Sequence, residues 1–216
     1  MSHQKKTKQS ARAQQTEAKT AQTAAAPEES AQKAALRRIW DATGYIIVPI
    51  VTMCLLLGVI FSAAWVPSSS MEPTLPKGSG FLGWRLPYFF GDPTPDRGNI
   101  VMFYSDQFGD LMVKRVIGLP GDVVTLEGGY VYVNGEALEE DYLQPEMQGC
   151  TYVTGMSDRF EVPEGCIFVM GDNRTNSQDS RAWADPYVPV EKIRSRAIVA
   201  AAVLPDCTWR GVRLLT

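Results

Sequence analysis

From Ala42 to Val66 the chain runs for 25 residues without one charged side chain. Few folds can accommodate such a segment. At about 1.5 Å per residue, a helix of this length crosses a hydrocarbon layer of roughly 30 Å even when tilted. No polar face appears along it, which argues against a helix buried in a soluble domain. Trp40, Tyr45 and Trp65 stand near its ends, where the aromatic belts of membrane helices lie. Pro49 falls in the first turns, where it can kink the helix. Ser62-Ala63-Ala64 has the small side chains of a cleavable leader's end. The leader would be unusually long, however, and the expectation is an uncleaved anchor.

Charge is distributed unevenly about this segment. Residues 1–40 hold eight Lys/Arg and three Glu, a net of +5, whereas residues 67–216 carry a net of −7. A basic flank on the N-terminal side alone places residues 1–40 in the cytoplasm and residues 67–216 outside, by the positive-inside rule. The tail, rich in Ala, Gln, Lys, Thr and Ser, has too few large apolar side chains to offset the entropy of ordering and is expected to be disordered. An acidic domain is a poor match for nucleic acid. The expected layout is a disordered basic tail (1–40), a transmembrane helix (41–66) and an extracytoplasmic β-rich domain (67–216).

Beyond Val66 short apolar runs alternate with Gly, Pro, Asn and Asp. The runs at 99–104, 111–117, 123–126, 130–133, 159–162, 166–170 and 193–203 read as strands, and Asn134-Gly135 as a hairpin turn. No long stretch has a helical period. The fold class expected is mostly β, a folded-over, barrel-like antiparallel sheet system preceded by one transmembrane helix. Residues 144–158 read as a loop or flap. Cys54 lies within the apolar run, and Cys150, Cys166 and Cys207 follow it. Outside the cytoplasm Cys150 and Cys166 could close a loop, but three cysteines leave one over and the pairing stays open. No Cys-x-x-Cys or His cluster suggests a metal, and no cofactor is expected.

Three segments place reactive groups beside strand-like runs. Pro67-Ser68-Ser69-Ser70-Met71-Glu72-Pro73-Thr74-Leu75 brackets three serines with prolines, which restricts the backbone around a hydroxyl. By itself it is a weak signal, since serine clusters after a membrane span are usually linkers. The one histidine is His3, in the tail, so serine chemistry here would need another base. A desolvated lysine can serve. Lys114 lies in Met112-Val113-Lys114-Arg115-Val116-Ile117, where alternation sends Lys114 and Arg115 to opposite faces. Burial would lower its proton affinity, whereas on an edge strand it would only discourage aggregation. The third segment, Gly171-Asp172-Asn173-Arg174 through Arg181, is either an exposed polar loop or one fixed by an Asp179–Arg181 ion pair.

In order and spacing these three segments resemble the motifs of bacterial type I signal peptidases, membrane-anchored Ser/Lys proteases. The resemblance covers the apolar span and nearly all of residues 67–216, including Lys114-Arg115-Val116-Ile117-Gly118-Leu119-Pro120-Gly121-Asp122. It implies that Ser70 is the nucleophile and Lys114 the general base. Ser68 would help bind the oxyanion beside the Ser70 N–H, and Ser177 would orient the lysine amine. Asp179 and Arg181 would be a structural ion pair, with Asp172 near that network. Met71 and Val113 would line a shallow pocket for a small residue before the cut, and the substrate would lie as a strand beside the Lys114 strand. The partners implied are signal peptides of exported preproteins, the lipid bilayer and the nearby translocon. Thr175, where many relatives have Asp, and Ala184, where Gly is common, depart from the pattern without touching these assignments. A self-cleaving Ser/Lys repressor would share the dyad but need a DNA-binding module and no span. A non-catalytic relative would not need Ser70, Lys114 and Ser177 together. A peptidase dedicated to few substrates remains compatible with the sequence.

Overall fold

The computed structural model describes residues 33–215 except 36, 39, 42, 92, 154, 156 and 203–210. Most of the basic tail and Cys207 therefore lie outside the described residues. The apolar run forms helix α1 (Thr43–Ile60), long and apolar enough to cross a membrane. Its Ile46, Val51, Leu55 and Leu56 side chains are exposed, as a helix without a polar face requires in lipid.

The helix stops at Ile60 although the apolar run continues to Val66. Phe61–Trp65 is instead strand β1, antiparallel to β2 (Gly80–Trp84) with Phe61 opposite Trp84 and Trp65 opposite Gly80. The backbone groups of these last apolar residues are satisfied by a neighbouring strand rather than by the helix. Gly83 makes this approach possible: a Cβ there would lie 2.5 Å from Ser195 Oγ and 2.6 Å from Ser62 Oγ.

A short helix, α2 (Pro87–Phe90), precedes β3 (Ile100–Ser105), β4 (Asp110–Gly118), β5 (Val123–Glu127), β6 (Tyr130–Val133), β7 (Glu136–Ala137), β8 (Arg159–Glu161), β9 (Cys166–Met170), β10 (Tyr187–Pro189), β11 (Ile193–Ala202) and β12 (Gly211–Leu214). Among the described residues these strands make two antiparallel sheets. The larger runs β1-β2-β11-β3-β4-β9-β10, with β12 also on β11, and the smaller runs β7-β6-β5-β8. The fold is mostly β.

Alternation sets which face each side chain takes. In β3, Ile100 and Met102 join Val66, Met71, Leu75 and Phe81 on one side, while Val101 and Phe103 join Val116, Ile167, Val169 and Trp183 on the other. Burial on both faces accounts for a strand that reads as a continuous apolar run. The small sheet turns Val124, Leu126, Val131, Val133 and Phe160 inward against Ile117, Phe168 and Met170. Its β6–β7 turn is Asn134-Gly135, with φ of 55° and 84°, the two left-handed residues of a tight hairpin.

Cys150 and Cys166 are free thiols in this structure. Cys150 lies on the excursion after β7, where its Sγ donates to Glu146 O at 3.3 Å. Cys166 opens β9 and packs against the small-sheet core.

Candidate active site

The serine segment is the connection between β1 and β2, pinned at its base and at its centre. Val66 N donates to Ser79 O and Gly78 N to Val66 O, closing the loop. Met71 and Leu75 are buried beneath it, and Leu75 N donates to Met71 O at 2.8 Å. From above, the Gly171 segment bonds to the serine backbone. Asn173 N donates to Ser70 O at 3.0 Å, Asn173 Nδ2 to Ser69 O at 3.2 Å, and Asn176 Nδ2 to Ser69 Oγ at 3.0 Å. Ser70 is thus clasped between two elements and only 8% exposed.

Lys114 reaches it from the middle of β4. Its Nζ donates to Ser70 Oγ at 2.7 Å, and Ser68 Oγ lies 3.3 Å from the same oxygen. Lys114 is 3% exposed. Burial lowers its pKa from 10.5 to about 8, with Asp179 and Asp172 pulling it up and Arg181 pushing it down. Desolvation dominates because the nearby carboxylates are engaged by arginines. A lysine in this setting can hold a neutral amine near neutral pH, and a neutral amine can take a hydroxyl proton.

The Gly171 segment supplies the buried charges around the amine. Asp179 receives Arg181 Nε at 2.8 Å, Arg181 Nη2 at 2.9 Å and Gly171 N at 2.9 Å. Burial alone would raise the Asp179 pKa, but these donors outweigh it and hold the carboxyl below its ordinary value. Arg181 Nη2 also caps Arg174 O at 3.0 Å. Asp172 takes Arg115 Nε at 2.8 Å and Nη2 at 2.7 Å, a two-pronged grip, and Thr74 Oγ1 at 2.5 Å. Gly171 stands where three segments meet. A Cβ there would lie 2.2 Å from Ser177 Oγ and 2.4 Å from Ser70 O.

The other sequence-predicted residues fall at different distances from the pair. The Ser177 hydroxyl is buried near Asp179, whose low pKa it supports, but makes no hydrogen bond of good geometry among the described residues. Its bond to Lys114 is not made here. Met71, at 1% exposed, belongs to the core behind Ser70 and offers no open surface, while Val113 is half-buried against the same cluster. Among the described residues no group of His, Cys, Asp or Glu is arranged to hold a metal ion.

A paired serine and lysine inside a β domain that follows an apolar helix can be compared with known proteins. Residues 39–202 match the family described as signal peptidase, peptidase S26. The chain belongs to that family. Its relatives include a probable signal peptidase I-2 from Synechocystis sp., 40% identical over 146 residues, covering 65% of this chain and 62% of the relative. A signal peptidase I from Bacillus caldolyticus is 37% identical over 142 residues, covering 62% of this chain and 75% of the relative. The crystal structure of a signal peptidase I from Enterococcus faecalis is similar with a TM-score of 0.40 and 34% identity, covering 47% of this chain and 95% of that one. The chain thus spans less than two thirds of the Synechocystis relative.

Within this S26 peptidase several site-building residues were not legible as such. The partners of Arg115 and Arg174 came only from the fold. Arg174 is buried and binds Glu140, Thr151 Oγ1 at 2.7 Å and Gly171 O at 3.2 Å. One signal existed: Arg115 beside Lys114 in an apolar strand must find a buried anion, because an unpaired buried charge is costly. Glu140 gave none, since Glu139-Glu140-Asp141 reads as a solvated acidic run.

Proposed function

We propose that this S26 peptidase is a signal peptidase I-type serine endopeptidase that removes N-terminal signal peptides from exported preproteins after small residues. The family carries the reaction class, peptide-bond hydrolysis by a serine-type peptidase. The observation that carries the rest is the 2.7 Å hydrogen bond from a buried Lys114 amine to Ser70 Oγ. In the reaction Ser70 Oγ attacks the scissile carbonyl as neutral Lys114 takes its proton, and the ammonium gives a proton to the leaving amine. A water deprotonated by the same amine then cleaves the acyl group from Ser70, which regains its proton. Ser68 Oγ and the Ser70 N–H are the donors for the oxyanion, a contribution of several kcal/mol in sites of this kind. Ser177, its buried hydroxyl beside Asp179, is the group to orient the amine, and Asp179–Arg181 keeps the segment in shape.

The substrate is an extended chain. β4 pairs with β3 from Asp110 to Arg115, but with β9 only from Arg115 onward. Among the described residues the other edge of 110–114 is left unpaired. An added strand fits there, its backbone bonded to β4 and its alternate side chains read by the surface. Val113 contributes to that surface, with Met71 backing it from the core. Helix α1 anchors the enzyme in the membrane. The basic tail favours a cytoplasmic N-terminus and a catalytic domain at 67–216 outside, a placement that would suit work close to the translocon.

Cleavage of a preprotein by full-length Ser70→Ala and Lys114→Met variants tests the reading. Both are expected to lose at least about a thousandfold in kcat, and full activity in either would sink it. For the wild type, the neutral amine is the working form. Activity should therefore rise with pH through about 8 and level off above it. A pH-independent rate from 6 to about 9 would remove Lys114 as the base.

A further inference from the structure

The excursion between β7 and β8 contributes neither the serine nor the lysine, yet its side chains close over the charged frame behind them. The Tyr142 ring lies against the Arg115 guanidinium, 3.8 Å from carbon to ring centroid. The Tyr142 hydroxyl donates to Glu140 Oε1 at 2.6 Å and accepts from Arg174 Nη2 at 3.2 Å. Glu140 in turn receives Arg174 Nη1 at 2.9 Å and the Arg174 Nη2 group. The ring is thus fixed at its polar end by one buried ion pair, and its face covers another.

That second pair leads to the reacting oxygen. Arg115 holds Asp172 with two nitrogens, and Asp172 receives Thr74 Oγ1 from the serine loop. A guanidinium under an aromatic face gains cation–π attraction and loses contact with water. Its bonds to the carboxylate strengthen in the lower dielectric. A tyrosine suits both tasks, with an apolar face for Arg115 and a hydroxyl for the ion pair behind. Burial, reinforced by Glu140, pushes the hydroxyl pKa up, so it remains a donor at working pH.

We propose that Tyr142 is a positioning residue for the peptidase reaction: gripped by Glu140 and Arg174, its ring keeps the Arg115–Asp172 pair closed, and that pair holds the serine loop within hydrogen-bond reach of Lys114. The inference rests on the Ser70/Lys114 reading. It also predicts an electrostatic consequence. The amine is faced by Ser70 from the serine loop and by Asp172, Asp179 and Arg181 from the Gly171 segment. A loosened Arg115 leaves the Asp172 charge less compensated, which favours the protonated lysine.

The test uses the full-length chain in detergent with a preprotein substrate, across pH. Tyr142→Leu removes the ring face, and Tyr142→Phe keeps it. Tyr142→Leu is expected to lose about tenfold in kcat with KM within about twofold. Its acid limb should move up by about half a pH unit. Tyr142→Phe, which keeps the ring but loses its hydroxyl's seat, should lose less than about threefold and move the limb by less than Tyr142→Leu does. Glu140→Gln, which loosens the hydroxyl's seat without emptying the ring's, should move the limb the same way by less, and serves if Tyr142→Leu does not fold. A wild-type limb in the folded fraction of Tyr142→Leu, or of Glu140→Gln where only that variant folds, overturns the proposal. So does a kcat loss that vanishes after correction for folded protein. Ser70→Ala is measured alongside: activity there would overturn the Ser/Lys reading, whereas an inactive Ser70→Ala beside a wild-type-like Tyr142→Leu overturns the Tyr142 role alone.

Discussion

The frame around Ser70 and the four-stranded sheet are held together by opposite means. The frame buries Lys114, Arg115, Asp172, Arg174, Asp179 and Arg181, each engaged by a named partner. In residues 119–165, which carry the small sheet, there are ten acidic residues and a single arginine. Those charges lie mostly at the surface while Val124, Val131 and Phe160 fill the interior. In the frame stability depends on geometry, because a buried charge that loses its partner costs several kcal/mol. In the sheet it depends on apolar area and shape, which degrade more gradually. The frame therefore fixes a reactive geometry and tolerates little, while the sheet supports it and tolerates more.

Substitutions at three sites probe that contrast. Gly171→Ala should have the largest effect, because its Cβ would sit 2.4 Å from Ser70 O with backbone that must move. A kcat loss of about a hundredfold is expected from displacement of the serine, with about 1–3 kcal/mol of destabilisation from the overpacking. Near-normal kcat would mean the meeting of the three segments is not what sets the geometry. Phe160→Ala should cost about 3–5 kcal/mol by denaturant melt while leaving kcat per folded molecule near wild type. If kcat fell in step, the sheet would be part of the frame and the contrast would fail. Arg159→Ala breaks the exposed Arg159–Glu161 pair, 3.1 Å apart. It should change stability by less than about 1 kcal/mol, and this should shrink further in salt. A larger loss would show that surface charge in this half contributes more than its exposure implies.

The same contrast explains what could be read from the chain. The small sheet was legible because its strands obey local rules: alternating burial, glycine turns, and an Asn-Gly hairpin with both residues at positive φ. The serine, the lysine and the ion pair of Asp179 and Arg181 were legible as motifs. Strand β1 was not, because Phe61–Trp65 is as apolar as the helix before it and only its pairing with β2 distinguishes it. Glu140 and Tyr142 were not legible either. Nothing local separates a glutamate on a solvated run from one that holds a buried arginine more than thirty residues away.

By itself the sequence determined that the chain carries an apolar helix, a β-rich domain after it, and a serine motif with no histidine to serve it. Those properties follow from composition, period and residue type, which are local. Only the tertiary structure decided that Lys114 Nζ lies 2.7 Å from Ser70 Oγ, that its burial lowers its pKa to about 8, and which carboxylate answers which arginine. Those depend on distance and dielectric between segments far apart in the chain, quantities that exist only once the sheets have packed.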